Sequence, residues 1–124
     1  MNIINTPHAP APIGPYSQAV LAGNTLYISG QIAIDPSTGN LVSDDIKNET
    51  VRVMENIKAI LFQAGLDFKN VAKCSIFLSD MNNFQQVNEI YGKYFDQHKP
   101  ARETVEVSRL PKDVNVEISL IAVK

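Results

Sequence analysis

The sequence predicts an α+β fold, a two-layer sandwich of a six-stranded mixed sheet with two helices on one face. Three observations predict it. Two segments carry apolar residues at helical spacing. About six others alternate or run apolar as strands do. Their order reads β-β-β-α-β-α-β-β, which leaves both helices to cover the same sheet. The chain has 124 residues, the size of one domain, and is read as a single domain over 1–124.

The elements are justified in chain order. "TPHAPAPIGP" (6–15) carries four prolines and a glycine, which makes a stiff extended segment. "SQAVLA" (17–22) and "TLYISGQIAI" (25–34) read as strands joined by a tight turn at Gly23-Asn24. "DPSTGN" (35–40) is a turn cluster. Ile46, Thr50, Val53, Met54, Ile57, Ile60, Leu61 and Ala64 then recur at helical period, with Ser43 or Asp44 as cap and Gly65 as terminator. "NVAKCSIFLS" (70–79) is a strand. "DMNN" (80–83) turns into a second helix with the stripe Phe84, Val87, Tyr91, Tyr94 and Phe95, stopped by Pro100. "RETVEV" (102–107) and "VNVEISLIAV" (114–123) are the final strands, expected to pair with each other. In the last strand Val114, Val116, Ile118, Leu120 and Ala122 share one face. Asn115, Glu117, Ser119, Ile121 and Val123 share the other, a mixed face suited to partial burial between subunits.

Composition bounds the function. Hydrophobic residues are 44% and charged residues 19%, an ordinary globular balance. The net charge of −2 announces no basic face, so nucleic acid is not the expected partner. The single cysteine, Cys74, cannot form an intramolecular disulfide and fits a reducing compartment. The N-terminus lacks a secretory pattern, and no apolar run approaches the roughly 18 residues that span a bilayer. A cytoplasmic protein without membrane attachment is expected.

Arg102 and Glu117 are the candidate chemistry. A guanidinium matches a carboxylate in two parallel hydrogen bonds, and a nearby carboxylate can direct a water. The alternative is a cross-strand ion pair of little consequence. Tyr16, after Gly14-Pro15, is either a presented phenol or a core or interface aromatic. Ser29-Gly30 allows close approach of a ligand or marks a bulge. Cys74 reads as an inert core thiol. His8 and His98 have no ligand spacing with it, so no metal site is expected.

Taken together, "IGPYSQAV", "LYISGQI", "DMNNFQQVNEIYGKYF" and "PARETVEVSRLPKDVNVEI" resemble the RidA family of reactive-intermediate deaminases, also called the YjgF family, over roughly residues 2–123. The resemblance implies a fold like the trimeric chorismate mutases. It implies a homotrimer with sheets facing inward and an active site in each cleft between subunits. The implied activity is hydrolysis of 2-aminoacrylate and 2-iminobutanoate, products of PLP enzymes, to 2-oxo acids and ammonia, with no cofactor. On that resemblance Arg102 grips the substrate carboxylate and Glu117 positions or activates water. Tyr16 and Ser29 hold the ligand or assist proton movement. Gly30 and Thr104 face it with backbone groups, and Phe84 and Asn88 form a further wall. "PARET" departs from the family's frequent "PARS" followed by cysteine: Thr104 removes a thiol found in many relatives, and alternation turns Glu103 away from Arg102. Against the family pattern the connection "DQHKP" is short, and a changed pocket rim is expected there. Competing readings are a non-catalytic sensor of small oxo acids, an endoribonuclease or translation inhibitor, and a structural or chaperone-like trimer.

Overall fold

The structure, a computed structural model, describes residues 1–124. Six strands form one mixed sheet: β1 (Asn2–Ile4), β2 (Ala19–Ala22), β3 (Thr25–Gln31), β4 (Val71–Leu78), β5 (Ala101–Glu106) and β6 (Val116–Val123). Two helices, α1 (Ile46–Gln63) and α2 (Phe84–Tyr94), complete the α+β sandwich expected from the sequence. The strand before the proline-rich stretch, Asn2–Ile4, is the one for which the sequence supplies no pattern of its own. It pairs antiparallel with β2.

The spatial order is β1-β2-β3-β6-β4-β5. This corrects the expected pairing of the last two strands. β5 pairs with β4, in parallel, and β6 lies between β3 and β4, antiparallel to both. The reason is visible in the two strands' composition. β6 sends Val116, Ile118, Leu120 and Ala122 into the core, each at most 3% exposed. A strand so apolar on one face belongs in the sheet interior. β5, "ARETVE", carries three charged residues and no fully buried one, which suits an edge. β4, α2 and β5 therefore form a parallel crossover unit.

Helix boundaries differ from expectation in two places. Asp45, one residue after the expected caps, is the α1 N-cap: its side chain accepts from the Asn48 N–H at 2.7 Å. Asp44 instead accepts from the Asn48 side-chain amide. The C-terminus is as expected. Gly65, at φ 76°, follows the cap, and its N–H and that of Leu66 return to Phe62 and Leu61 carbonyls. α2 ends at Tyr94, well before Pro100. Phe95 leaves the helix yet keeps its ring in the core, 4.7 Å from Tyr91 and 5.2 Å from Phe68 between centroids. The chain turns there because His98 is held at the Val71 carbonyl, 2.6 Å away, beside the start of β4.

The core lies between the helices and one sheet face. Val53, Met54, Ile57, Ile60 and Leu61 of α1 meet Leu26, Ile76, Leu78 and Ile118. A small second cluster, Ile32, Ile34, Leu110 and Val114, packs the segment after β3 against the loop before β6.

Buried polar side chains fasten the irregular segments. Gln18 accepts from the Thr6 N–H at 2.7 Å and donates to the Thr6, Ala9 and Pro10 carbonyls. Asn56 donates to the Ile32 and Ile34 carbonyls. Glu49 accepts from both the backbone N–H and the side-chain amide of Asn115, at 2.8 Å each. Prolines in residues 7–15 cannot donate to a sheet, so this segment depends on such side-chain ties. Gln18→Ala is therefore expected to cost about 2 kcal/mol or more through unsatisfied buried groups. The check is a thermal or urea denaturation curve beside limited proteolysis, which should cut first within residues 5–17.

Candidate active site

The bulge in β3 organises one group of the candidate residues. Between Ile28, opposite Leu120, and Gln31, opposite Ile118, β3 carries one residue more than β6. Ser29 and Gly30 occupy this bulge. The Ser29 hydroxyl donates to the Ser17 carbonyl at 2.6 Å, and the Ser29 N–H to the Gln18 carbonyl at 3.0 Å. These bonds hold the chain leading out of Tyr16 beside the bulge. Tyr16 itself is held in a tight turn, its N–H on the Gly14 carbonyl at 2.8 Å, with its ring half exposed.

Glu117 lies directly against Gly30. A Cβ on Gly30 would stand 2.8 Å from the Glu117 carboxyl carbon and 3.0 Å from Oε2. Glycine is thus required for the carboxylate to rest where it does. Of the two sequence alternatives the structure shows the bulge, and the close neighbour of Gly30 in this chain is the Glu117 side chain. Half-buried, Glu117 has its pKa raised by loss of solvent, with no hydrogen bond or cation of this chain offsetting the effect. Tyr16, Ser29, Gly30 and Glu117, with Ile13 and Pro111, line one open cleft of about 380 Å³.

Arg102 stands elsewhere. It pairs in register with Cys74, and Cys74 with Leu120, so this row faces the helices. The guanidinium lies over the rings of Tyr91, at 4.9 Å, and Phe84, at 5.6 Å, and donates to Asn88 Oδ1 at 2.6 Å. Four of its five N–H donors remain available. Thr104, two residues on, shares its face, and its buried hydroxyl has no partner. Glu103 points the other way, to Lys73 at 3.1 Å and to the Ser75 hydroxyl, as alternation requires. Arg102, Asn88, Tyr91, Lys99 and Pro100 line a second cleft of about 300 Å³. Phe84 touches Arg102 but is outside that lining.

The candidate residues thus form two groups, not one. Glu117 belongs to a row with Phe77 and Val105 on the open sheet face, whereas Arg102 faces α2. Strand spacing places their Cα atoms about 14 Å apart, two strands over and three residues along. A four-carbon acid cannot touch both within one chain. The expected facing of Arg102 and Glu117 across neighbouring strands is corrected accordingly, because β4 separates β5 from β6.

Cys74 is fully buried, and burial pushes its thiol up to about 11, which keeps it protonated and inert at neutral pH. The largest cavity, about 530 Å³ between α1 and the N-terminal segment, contains none of the candidate residues. Ile13, Pro111, Tyr91 and Lys99 line the two clefts without having been singled out as site residues. Tyr91 was legible only as part of an apolar stripe. Pro111 lies in a loop whose path depends on β6 crossing past β4.

The model of the family described as Endoribonuclease L-PSP matches residues 6–124. A RutC family protein of Pyrococcus horikoshii is 58% identical over 122 residues, covering 98% of this chain and 97% of its own. The human 2-iminobutanoate/2-iminopropanoate deaminase is 48% identical over 122 residues, covering 98% of this chain and 89% of its own. The crystal structure of Escherichia coli TdcF with bound serine is similar at TM-score 0.96 and 42% identity, over 100% of this chain and 99% of that one.

A raised carboxyl pKa has a definite consequence for stability. The folded protein holds the Glu117 proton to higher pH than the unfolded chain does. Stability therefore falls as pH rises through that window, and the penalty is complete above the folded pKa. For a protomer with no neighbouring cation at the cleft, Glu117→Gln is expected to raise Tm at pH 7, with the gain vanishing below the ordinary carboxyl value of 4.5. Calorimetric scans of both proteins from pH 4 to 8 check this. A lower Tm for the variant at pH 7 would mean that a cation from outside the protomer neutralises the carboxylate.

Proposed function

Because the chain belongs to the RidA (YjgF) family, we propose that it hydrolyses 2-iminobutanoate and 2-aminoacrylate to 2-oxo acids and ammonia, at sites completed between copies of the chain. The observation that carries this reading is the separation of two complementary groups. One presents a carboxylate without a cation, and the other a cation without a carboxylate. The edge strand bearing Arg102 on one subunit, set against the Glu117 cleft of the next, brings both onto one small acid. The mixed open face supports such a contact: Tyr27 and Val105 are 50% and 41% exposed, beside Ser119, Ser75 and Ile121. A homotrimer with sheets inward satisfies this arrangement.

The chemistry follows from the groups. The Arg102 fork holds the substrate carboxylate in two parallel bonds, fixed by the Asn88 contact and the rings beneath. This orients the adjacent C=N carbon and removes much of the entropic cost of attack. 2-Aminoacrylate first tautomerises to its imine by protonation at carbon. Glu117, poorly solvated and therefore more basic than an ordinary glutamate, takes a proton from water as the oxygen bonds to the C=N carbon. The resulting aminoalcohol has one new C–O bond and an amine nitrogen. Return of that proton from Glu117 to nitrogen lets the C–N bond break; ammonia departs, the hydroxyl proton passes back to the Glu117 carboxylate, and the oxygen becomes the ketone of the 2-oxo acid. Backbone groups of Gly30 and Thr104 face the ligand, with Tyr16, Ser29 and Phe84 enclosing it. The name of the human relative, an iminobutanoate and iminopropanoate deaminase, supports the substrate class.

A second reading is ligand binding without turnover, favoured by the serine-bound neighbour structure. A ribonuclease reading rests on the family's printed description. Against it stand the net charge of −2 and the single free arginine of the cleft, since RNA binding draws on many phosphate contacts.

The test generates 2-iminobutanoate with a threonine dehydratase in the presence of semicarbazide and follows 2-oxobutanoate. The wild type is expected to accelerate its release, and Arg102→Ala and Glu117→Ala each to lose about 10²-fold or more in kcat/KM. Co-assembly of equal amounts of these two variants is expected to restore about one quarter of the sites, the random chance that an intact Arg102 meets an intact Glu117 of a neighbour. No recovery would place both residues in the same subunit's site. No acceleration by the wild type would leave the binding reading, with Arg102 as a clamp alone.

A further inference from the structure

We propose that Lys99 gives the Arg102 cleft a second anion contact, so that it prefers small 2-oxo and 2-imino acids bearing a second carboxylate. The inference rests on the deaminase reading for its reaction, though not for its binding preference. Two cationic side chains, Arg102 and Lys99, line one cleft of about 300 Å³, and no acidic residue lines it. Neither is engaged in an ion pair of this chain, whose salt bridges use Lys47, Lys69, Lys73 and Arg109. Arg102 spends one donor on Asn88. The exposed Lys99 lines the cleft, its ammonium 3.4 Å from the Phe95 carbonyl just past the end of α2.

The chain geometry bounds how far apart the two cations can be anchored. Only Pro100 and Ala101 separate the two residues, so their Cα atoms stand within about 10 Å even if the backbone is fully extended. Both side chains line the same cleft. A four- or five-carbon dicarboxylic acid spans such a pair. The guanidinium fork takes the carboxylate beside the reacting carbon, and the ammonium, a point charge, takes the distal one. Short chains such as 2-iminobutanoate offer Lys99 only a methyl group. In the reaction, water adds to the C=N carbon of the imino diacid and ammonia leaves, giving the 2-oxo diacid. The second carboxylate is a spectator that raises affinity.

The experiment measures binding of 2-oxobutanoate and 2-oxoglutarate by calorimetry to the assembled wild type, Lys99→Ala and Lys99→Arg, at low and high salt. Turnover of 2-iminobutanoate and 2-iminoglutarate is followed on the same samples. Wild type is expected to bind 2-oxoglutarate about fivefold more tightly, the scale of a part-exposed ion pair. That ratio should fall to near one in Lys99→Ala, persist in Lys99→Arg and shrink at high salt. Equal binding of the two acids by wild type, a preference that survives in Lys99→Ala, or binding of neither acid would overturn the assignment of Lys99. A Lys99-dependent preference without turnover of either imine would uphold it while removing the deaminase reading. Turnover without any diacid preference would do the reverse.

Discussion

The structure depends on the placement of its last strand in the middle of its sheet. β6 is inserted between β3 and β4, and its alternation is nearly uninterrupted: Val116, Ile118, Leu120 and Ala122 are sealed beneath the helices. A slip of one residue would turn all four outward and bury Glu117, Ser119 and Ile121 among apolar neighbours. The register is therefore strongly determined, and with it the position of Glu117 on the opposite face. The same insertion pushes β5 to the edge and so turns Arg102 into the flank of α2. One strand's apolar face thus fixes where both charged groups stand.

Side-chain amides and one buried carboxylate then fix what the sheet cannot reach. Gln18 secures the proline-rich approach to Tyr16, Asn56 the exit from β3, and Glu49 the entrance to β6. Each ties backbone that has no ladder of its own, and each is at most 2% exposed. Two of the three flank the Glu117 cleft: one fastens the segment leading to Tyr16, and the other sets Asn115, two residues before Glu117. Rigid local support of this kind suits a site that must hold a carboxylate against a glycine at van der Waals range.

The architecture was legible because its signals are local. The helical periods of α1 and α2, the Gly23 turn at φ 60°, and the Gly65 stop are each written in a few adjacent residues. Strand order was not legible in the same way. Proximity in sequence suggested that β5 and β6 pair, but the decision rests on how buried each strand must be, which compares "ARETVE" with "VEISLIAV" across the whole sheet. The β3 bulge was named as one alternative at Ser29-Gly30, yet its fit to Glu117 requires the partner strand's register. Asp45 prevailed over Ser43 and Asp44 as cap because three adjacent polar residues compete for one N–H, and sequence alone does not rank them. The grouping of Arg102 with Asn88 and Phe84 followed from the family pattern. That these lie on the face away from Glu117 follows only from the sheet order.

Keeping Arg102 and Glu117 on opposite faces has a physical advantage on the proposed reading. Side by side in one protomer, a guanidinium and a carboxylate would pair in two hydrogen bonds and leave neither free for a substrate. Separated by β4, Arg102 satisfies itself with aromatic faces and one amide oxygen, contacts that leave most of its donors open. Glu117, meanwhile, keeps a proton affinity raised by burial alone. A neighbouring guanidinium would lower that affinity and weaken the carboxylate as a base. Where two subunits bring the groups together, the substrate's own carboxylate stands against the arginine and offsets its charge, so the base remains strong when there is something to hydrolyse. The distance between them keeps the two groups from pairing within one chain, and on the proposed reading the substrate carboxylate stands between them where two chains meet.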